Sequence, residues 1–169
     1  MKQAEATRRH IYSLYWKISH LREQYESREI TTFLQRADEA GIENCPRNIT
    51  SIHVIDCIGN NEPINNTAIA EKMELSKASI TKISTKLLED GFIKRIRLNN
   101  NRKEIYYRLS LKGQKLFILH EKLHKQEEER FYRFLERYTE DEVLFIQRYY
   151  EDMAEEWERK LTAEVGFEV

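Results

Sequence analysis

Ile11, Leu14, Tyr15, Ile18 and Leu21 recur three and four residues apart within residues 3–26, which predicts one helical stripe. A second short helix is expected over "REITTFLQRADEAG", closing near Gly41, and "IENCPRN" reads as a loop broken by Pro46. Residues 48–60, "NITSIHVIDCIGN", predict a helix capped by Asn48 or Thr50 and ended by Gly59, after which "NEPINN" is a turn. Residues 66–75 carry Ile69, Ala70 and Met73 on one side, with Thr67 or Asn66 as the cap. Residues 76–91 open on a serine cap, bury Ile80, Ile83, Leu87 and Leu88, and stop at Gly91. The period then shortens. "FIKRIRL" and "EIYYRLSL" read as strands and "NNNRK" between them as a turn, which makes a β-hairpin with a basic tip. Residues 111–137 contain no proline, and no glycine after Gly113. Residues 140–161 form a last helix with the stripe Val143, Ile146, Tyr150, Met153 and Trp157; Thr139 and Glu142 stand at capping-box spacing before it. The expected class is mainly α with one small β-hairpin.

Helix, helix, helix, hairpin over residues 48–109 is the order of a helix-turn-helix followed by a wing. In that arrangement the first helix of the pair braces the second, and the second enters the major groove of DNA. The outward positions of residues 76–91 are Lys77, Ala78, Ser79, Thr81, Lys82, Ser84, Thr85 and Lys86, small enough to approach base edges and phosphates. Arg97, Arg102 and Lys103 place further cations on the wing, within reach of a minor groove or backbone. Lys77, Ser79, Thr81, Lys82, Thr85, Lys86, Arg97, Arg102 and Lys103 are therefore the candidate DNA contacts. The expected organisation is residues 1–47 as N-terminal helices, 48–110 as the DNA-binding segment and 111–169 as C-terminal helices.

Charge supports this division. Residues 63–115 carry twelve Lys/Arg against five Asp/Glu, whereas residues 116–169 carry eight against fifteen, although the whole chain is only −1. A basic middle implies a polyanionic partner for that segment alone. Two cysteines without a CxxC pair fit a reduced cytoplasmic protein. No leader peptide and no membrane span are expected. Nucleophile-elbow and phosphate-loop motifs, GxSxG and GxxxxGK[ST], are absent, which argues against those enzyme classes.

The stretch "IAEKMELSKASITKISTKLLEDGFIKR", the arginine near the wing tip and "YYRLSLKGQ" together resemble the winged-helix core of the MarR transcription regulators. The resemblance extends loosely over residues 48–161. It implies a homodimer with interleaved terminal helices, a pseudo-palindromic operator and a ligand-responsive repressor. Asn100 stands where that family usually has an aspartate in the wing. The apolar stripes of the first and last helices, which include Tyr15, Trp16, Tyr149, Tyr150 and Trp157, agree with a dimer on their own terms.

"HEKLH" puts His120 and His124 on one helical face, and His53 lies in "TSIHVIDCIG". Two subgroups of the family resemble this pattern. Likeness to the zinc-uptake repressors implies a zinc shell of His53, His120, His124 and Glu39, with Cys45 as a further candidate; Ile52 and Leu119 stand where their second site has carboxylates. Likeness to the fatty-acid-synthesis repressors implies instead a pocket for an acyl-type small-molecule effector. Surface histidines without a ligand are the third possibility. His120-Glu121-x-x-His124 also satisfies the zinc-metallopeptidase motif, which keeps an enzyme as the alternative, and a helical protein-interaction adaptor is another.

Overall fold

The computed structural model of the protein describes residues 2–98 and 101–162; for Lys2, Leu98 and residues 101–103 it describes backbone alone. The elements are α1 (Lys2–Glu39), α2 (Ile49–Asn61), β1 (Ile64–Asn65), α3 (Asn66–Met73), α4 (Lys77–Glu89), β2 (Ile93–Leu98), β3 (Asn101–Leu109), α5 (Leu111–Leu135) and α6 (Glu140–Thr162). Two compact units result, Met1–Leu123 and His124–Val169, and their boundary falls inside α5.

Residues 3–39 form one continuous helix, where two were expected. The polar residues at the supposed break join the helix instead of capping a new one. Ser27 Oγ donates to Glu23 O at 3.1 Å and Thr31 Oγ1 to Ser27 O at 3.0 Å. Gly41 ends α1 as anticipated: its φ is +69°, and Ile42 N–H reaches back to Ala37 O. Only the last turns of α1 enter the core, through Phe33 and Ala37, while Ile11, Tyr12, Leu14, Trp16, Ile18 and Leu21 remain exposed.

Asn48 caps α2, its side chain accepting from Ser51 N–H at 2.8 Å. Gly59 does not end that helix. It lies within α2, where a Cβ would stand 2.6 Å from the Phe117 ring, so the close approach of Phe117 accounts for the glycine. The expected turn "NEPINN", residues 61–66, holds a strand that periodicity could not reveal, since β1 is two residues long. It pairs antiparallel with β3 (Ile64 with Tyr107) and makes a three-stranded sheet in the order β1-β3-β2. The cap of α3 is Asn65, which accepts from Ala68 N–H at 2.9 Å, in place of Thr67 or Asn66. Ser76 caps α4 and Gly91, with φ +75°, follows its end, both as expected. Strand β3 begins at Asn101, so Arg102 and Lys103 stand on a strand instead of at the hairpin tip; their side chains, and Asn100 altogether, lie outside the described residues.

The core of the first unit joins Ile52, Ile55 and Ile58 of α2 to Ile69 of α3, Ile80 and Leu87 of α4, Phe92, and Leu116 of α5. Where the sheet hands over to α5, the backbones touch. Ser110 N–H donates to Phe92 O at 2.9 Å, Ser110 Oγ donates to Gly91 O at 2.6 Å, and the same oxygen accepts from Gly113 N–H at 3.0 Å. Lys112 Nζ donates to Asp90 O at 2.8 Å and rests over the Phe92 ring. In the second unit, Glu142 accepts from Thr139 N–H at 2.8 Å, so the capping box forms and the Glu142 carboxyl is held below its usual range.

A Cβ on Gly113 would stand 2.0 Å from Phe92 O, a backbone atom already fixed by Ser110. Gly113→Ala should therefore cost about 3 kcal/mol or more, the upper range for overpacking. Gly41→Ala, where the only strain is a positive φ, should cost about 1 kcal/mol. Urea unfolding midpoints of the two variants test this ranking.

Candidate nucleic-acid interface and histidine cluster

Helix α4 buries one face, Ile80, Ser84 and Leu87, and leaves Lys77, Ala78, Ser79, Thr81, Lys82, Thr85 and Lys86 exposed. Ser84 corrects the sequence expectation. It is fully buried, and it faces α3 instead of solvent. Its hydroxyl donates to Asn66 Oδ1 at 3.1 Å, and Asn66 Nδ2 donates to Thr81 Oγ1 at 3.2 Å. One amide at the first position of α3 thus holds two successive turns of α4. Nothing in the sequence separated Asn66 from its neighbours, because a helix-start asparagine reads first as a cap.

The hydroxyls of the exposed face turn back on their own helix. Thr81 Oγ1 donates to Lys77 O and Thr85 Oγ1 to Thr81 O, each at 2.8 Å. Ser79 Oγ lies 2.8 Å from Ser76 Oγ. Lys86 Nζ donates to Asp90 Oδ1 at 2.9 Å, and that bond raises the lysine's pKa above its usual value. Among the described residues Lys77 and Lys82 form no ion pair, so their charge is available to a ligand. On the wing, Lys94, Arg95, Arg97 and Arg108 are exposed, with Lys94 opposite Arg108 in the ladder. Like charges facing each other across a pair of strands repel. A register irregularity between Ile96 and Leu98 surrounds Arg97.

His53 and His120 meet, with one ligand-type atom of each within 4.8 Å of the other, and His124 follows His120 by one turn of α5. α2 supplies His53, and α5 supplies the other two from successive turns. The rings of His53 and His120 have centroids 5.5 Å apart, and the edge of Phe33 abuts His120, which is only 6% exposed. Asp56 Oδ1 stands 3.5 Å from His120 Nδ1. Glu39 is not in this group. It sits at the last residue of α1, where its carboxylate accepts from Gln35 Nε2 at 3.2 Å. Cys45 is also elsewhere, and burial pushes its thiol up to about 11, away from the thiolate form a metal needs. A cavity of about 300 Å³ opens between residues 44–48 and the end of α4, lined by Cys45, Arg47, Lys86 and Asp90 among others. Its walls do not include the histidines.

A family model described as "MarR family" matches residues 48–105. The HTH-type transcriptional regulator PchR of Bacillus subtilis (strain 168) is 44% identical over 159 residues, 94% of either chain. An uncharacterized HTH-type transcriptional regulator of the same organism, YhjH, is 42% identical over 89% of this chain and 88% of its own. Among solved structures, a zinc-responsive MarR family member, Lactococcus lactis ZitR, aligns with a TM-score of 0.61 at 22% identity, over 78% of this chain and 98% of that one. Streptococcus pneumoniae FabT in complex with DNA aligns at 0.57 and 19% identity, over 80% and 97%. The chain belongs to the MarR family. It is a DNA-binding transcription regulator with a winged helix-turn-helix, and the metallopeptidase and adaptor alternatives find no support. No helix among the described residues is long and apolar enough to cross a membrane.

Asn66→Ala should strand the buried Ser84 hydroxyl and cost about 1–2 kcal/mol. Asn66→Asp keeps the acceptor for Ser84 and should recover most of that stability. Denaturant midpoints of the two variants decide between them.

Proposed function

We propose that the protein is a cytoplasmic, homodimeric repressor whose two α4 helices enter successive major grooves of a pseudo-palindromic operator, with residues 48–110 as the DNA-binding domain. The observation that carries this reading is the exposed face of α4, where two cations that form no ion pair among the described residues, Lys77 and Lys82, stand among small side chains. In this reading Ser79, Thr81 and Thr85 approach the bases and Lys86 the backbone. Arg97, Arg102 and Lys103 contribute from the wing. The exposed apolar positions of α1 and α6, Leu14, Ile18, Leu21, Phe145 and Tyr149 among them, are the surfaces a second copy would cover. Terminal residues 1–47 and 111–169 then serve dimerisation. Separation of the two reading helices must match one duplex turn, about 34 Å.

The effector in this reading is a divalent transition metal, zinc foremost, held by His53, His120 and His124. Zinc–nitrogen bonds of about 2.0–2.1 Å place tetrahedral ligands about 3.4 Å apart. Donor atoms of His53 and His120, already within 4.8 Å, reach that spacing by side-chain rotation. Three imidazoles are a borderline-soft donor set suited to zinc. Glu39 enters the shell only if the end of α1 moves. The structural neighbour described as zinc-responsive supports this choice over an acyl-type effector.

Two measurements test these assignments. In gel shifts against an operator selected from random duplexes, Lys77→Gln with Lys82→Gln should weaken binding, with two chains per duplex throughout. The dependence of log affinity on log salt should become shallower by roughly 0.9 for each phosphate no longer neutralised. Unchanged salt dependence would remove α4 as the reader. Separately, equilibrium dialysis should find tight zinc binding that His120→Ala with His124→Ala abolishes, and operator affinity should respond to zinc in the parent protein only. Zinc-independent operator binding in the parent would remove the metal as effector.

A further inference from the structure

The exposed face of α4 has few ways to read a base, and the hydrogen bonds already made there narrow them further. The helix contains no Arg, Asn or Gln, the side chains that grip guanine or adenine with two bonds. Its lysines can address phosphate or guanine. Among its hydroxyls, Thr81 has spent its one hydrogen on Lys77 O and one lone pair on Asn66 Nδ2. Thr85 has spent its hydrogen on Thr81 O. A hydroxyl has one hydrogen to give. Neither threonine can therefore donate to a base or a phosphate without breaking a bond inside the protein. What each still offers is a methyl group and acceptor capacity.

Thr81 and Thr85 are one helical turn apart, and Ala78, whose side chain is itself a methyl, is one turn before Thr81. All three are exposed. From Ala78 to Thr85 the rise is about 10 Å, roughly three base-pair steps of duplex. The chemistry complementary to an outward methyl in the major groove is the C5-methyl of thymine, which no other base carries.

The geometry points to Thr81 and Thr85, with Ala78, as the specificity-determining residues: their methyl groups pack against thymine C5-methyls, so the bases facing α4 are A·T pairs with defined strand orientation. Asn66 is a positioning residue in this scheme. By engaging Thr81 Oγ1 from α3 it fixes the rotamer and keeps the methyl directed away from α3. The inference rests on α4 being the reading helix, as proposed above.

The test uses the full-length protein and an operator selected from randomised duplexes, with each thymine replaced in turn by uracil, which lacks only the methyl. At thymines that meet these methyls, uracil should weaken binding roughly fourfold, the equivalent of one buried methyl group. Thr81→Ser, which retains both hydroxyl bonds, should weaken binding to the thymine duplex by a similar factor and abolish the thymine–uracil difference at its own position. Thr81→Val, which retains the methyl, should preserve that difference. Uracil without effect at every position, while Lys77→Gln with Lys82→Gln still weakens binding, overturns thymine reading but leaves α4 as the reader. If that lysine variant binds as the parent does, α4 is not the reader and both statements fall. A Thr81→Ser protein that keeps the discrimination, beside a Thr81→Val protein without it, assigns reading to the hydroxyl and also overturns the proposal.

Discussion

The carbonyl oxygen of Phe92 ties the end of α4, the base of the wing and the start of α5 together. It accepts Ser110 N–H just where α4 has ended and the sheet begins, and Gly113 comes so close that only a hydrogen fits between. Ser110 serves both sides of this junction, donating its hydroxyl to Gly91 O and accepting Gly113 N–H to start α5. The end of α4, the base of the wing and the first turn of α5 are consequently one rigid piece. Phe92 fills the space beneath and is fully buried, and Lys112 bridges over it to Asp90. A protein that presents a helix and a wing together must fix the angle between them, and here backbone hydrogen bonds do so, with little side-chain freedom left to lose.

Much of this was legible in the sequence because local chemistry and global fold agree. Ser76, Gly91, Asn48 and the Thr139–Glu142 box are local stop and start signals, and each acts where it stands. The failures have physical causes. Ser27 and Thr31 look like cap residues, but within a helix they return their hydroxyls to the carbonyl four residues back, so the expected break never forms. Gly59 looks like a terminator, but the reason for glycine is Phe117. Strand β1 is too short to carry a period, and it exists only because β3 has an edge to pair with. Ser84 reads as outward because serine is usually exposed; its partner, Asn66, is eighteen residues away and invisible to any local pattern.

The site was legible to a similar degree. Four-residue spacing puts His120 and His124 on one face whatever the fold, but only the packing of α2 beside α5 adds His53. Asp56, one turn after His53 on α2, completes the arrangement through its approach to His120 and had no signal of its own in the sequence. Glu39 depended on the course of the chain after α1. The helix carries its carboxylate toward Gln35 instead of the imidazoles.

The proposed effector and the proposed reading surface are connected through covalent structure and hydrogen bonds. α5 begins at the Ser110 knot and carries His120 less than three turns later, about 15 Å along one helix. α2 carries His53 and packs against α3, whose Asn66 holds α4. A ligand that ties His53 to His120 and His124 therefore ties the helix behind the wing to the helix behind the reading pair. Such a tie shifts a population only by the difference in affinity for the two spacings of a dimer, and a switch from 1:99 to 99:1 requires about 5.5 kcal/mol. Structural zinc sites bind with about 10–16 kcal/mol, so using only part of that as a difference between spacings suffices. The route open to such a tie is α5 itself, which runs from the Phe92–Ser110 junction to His120.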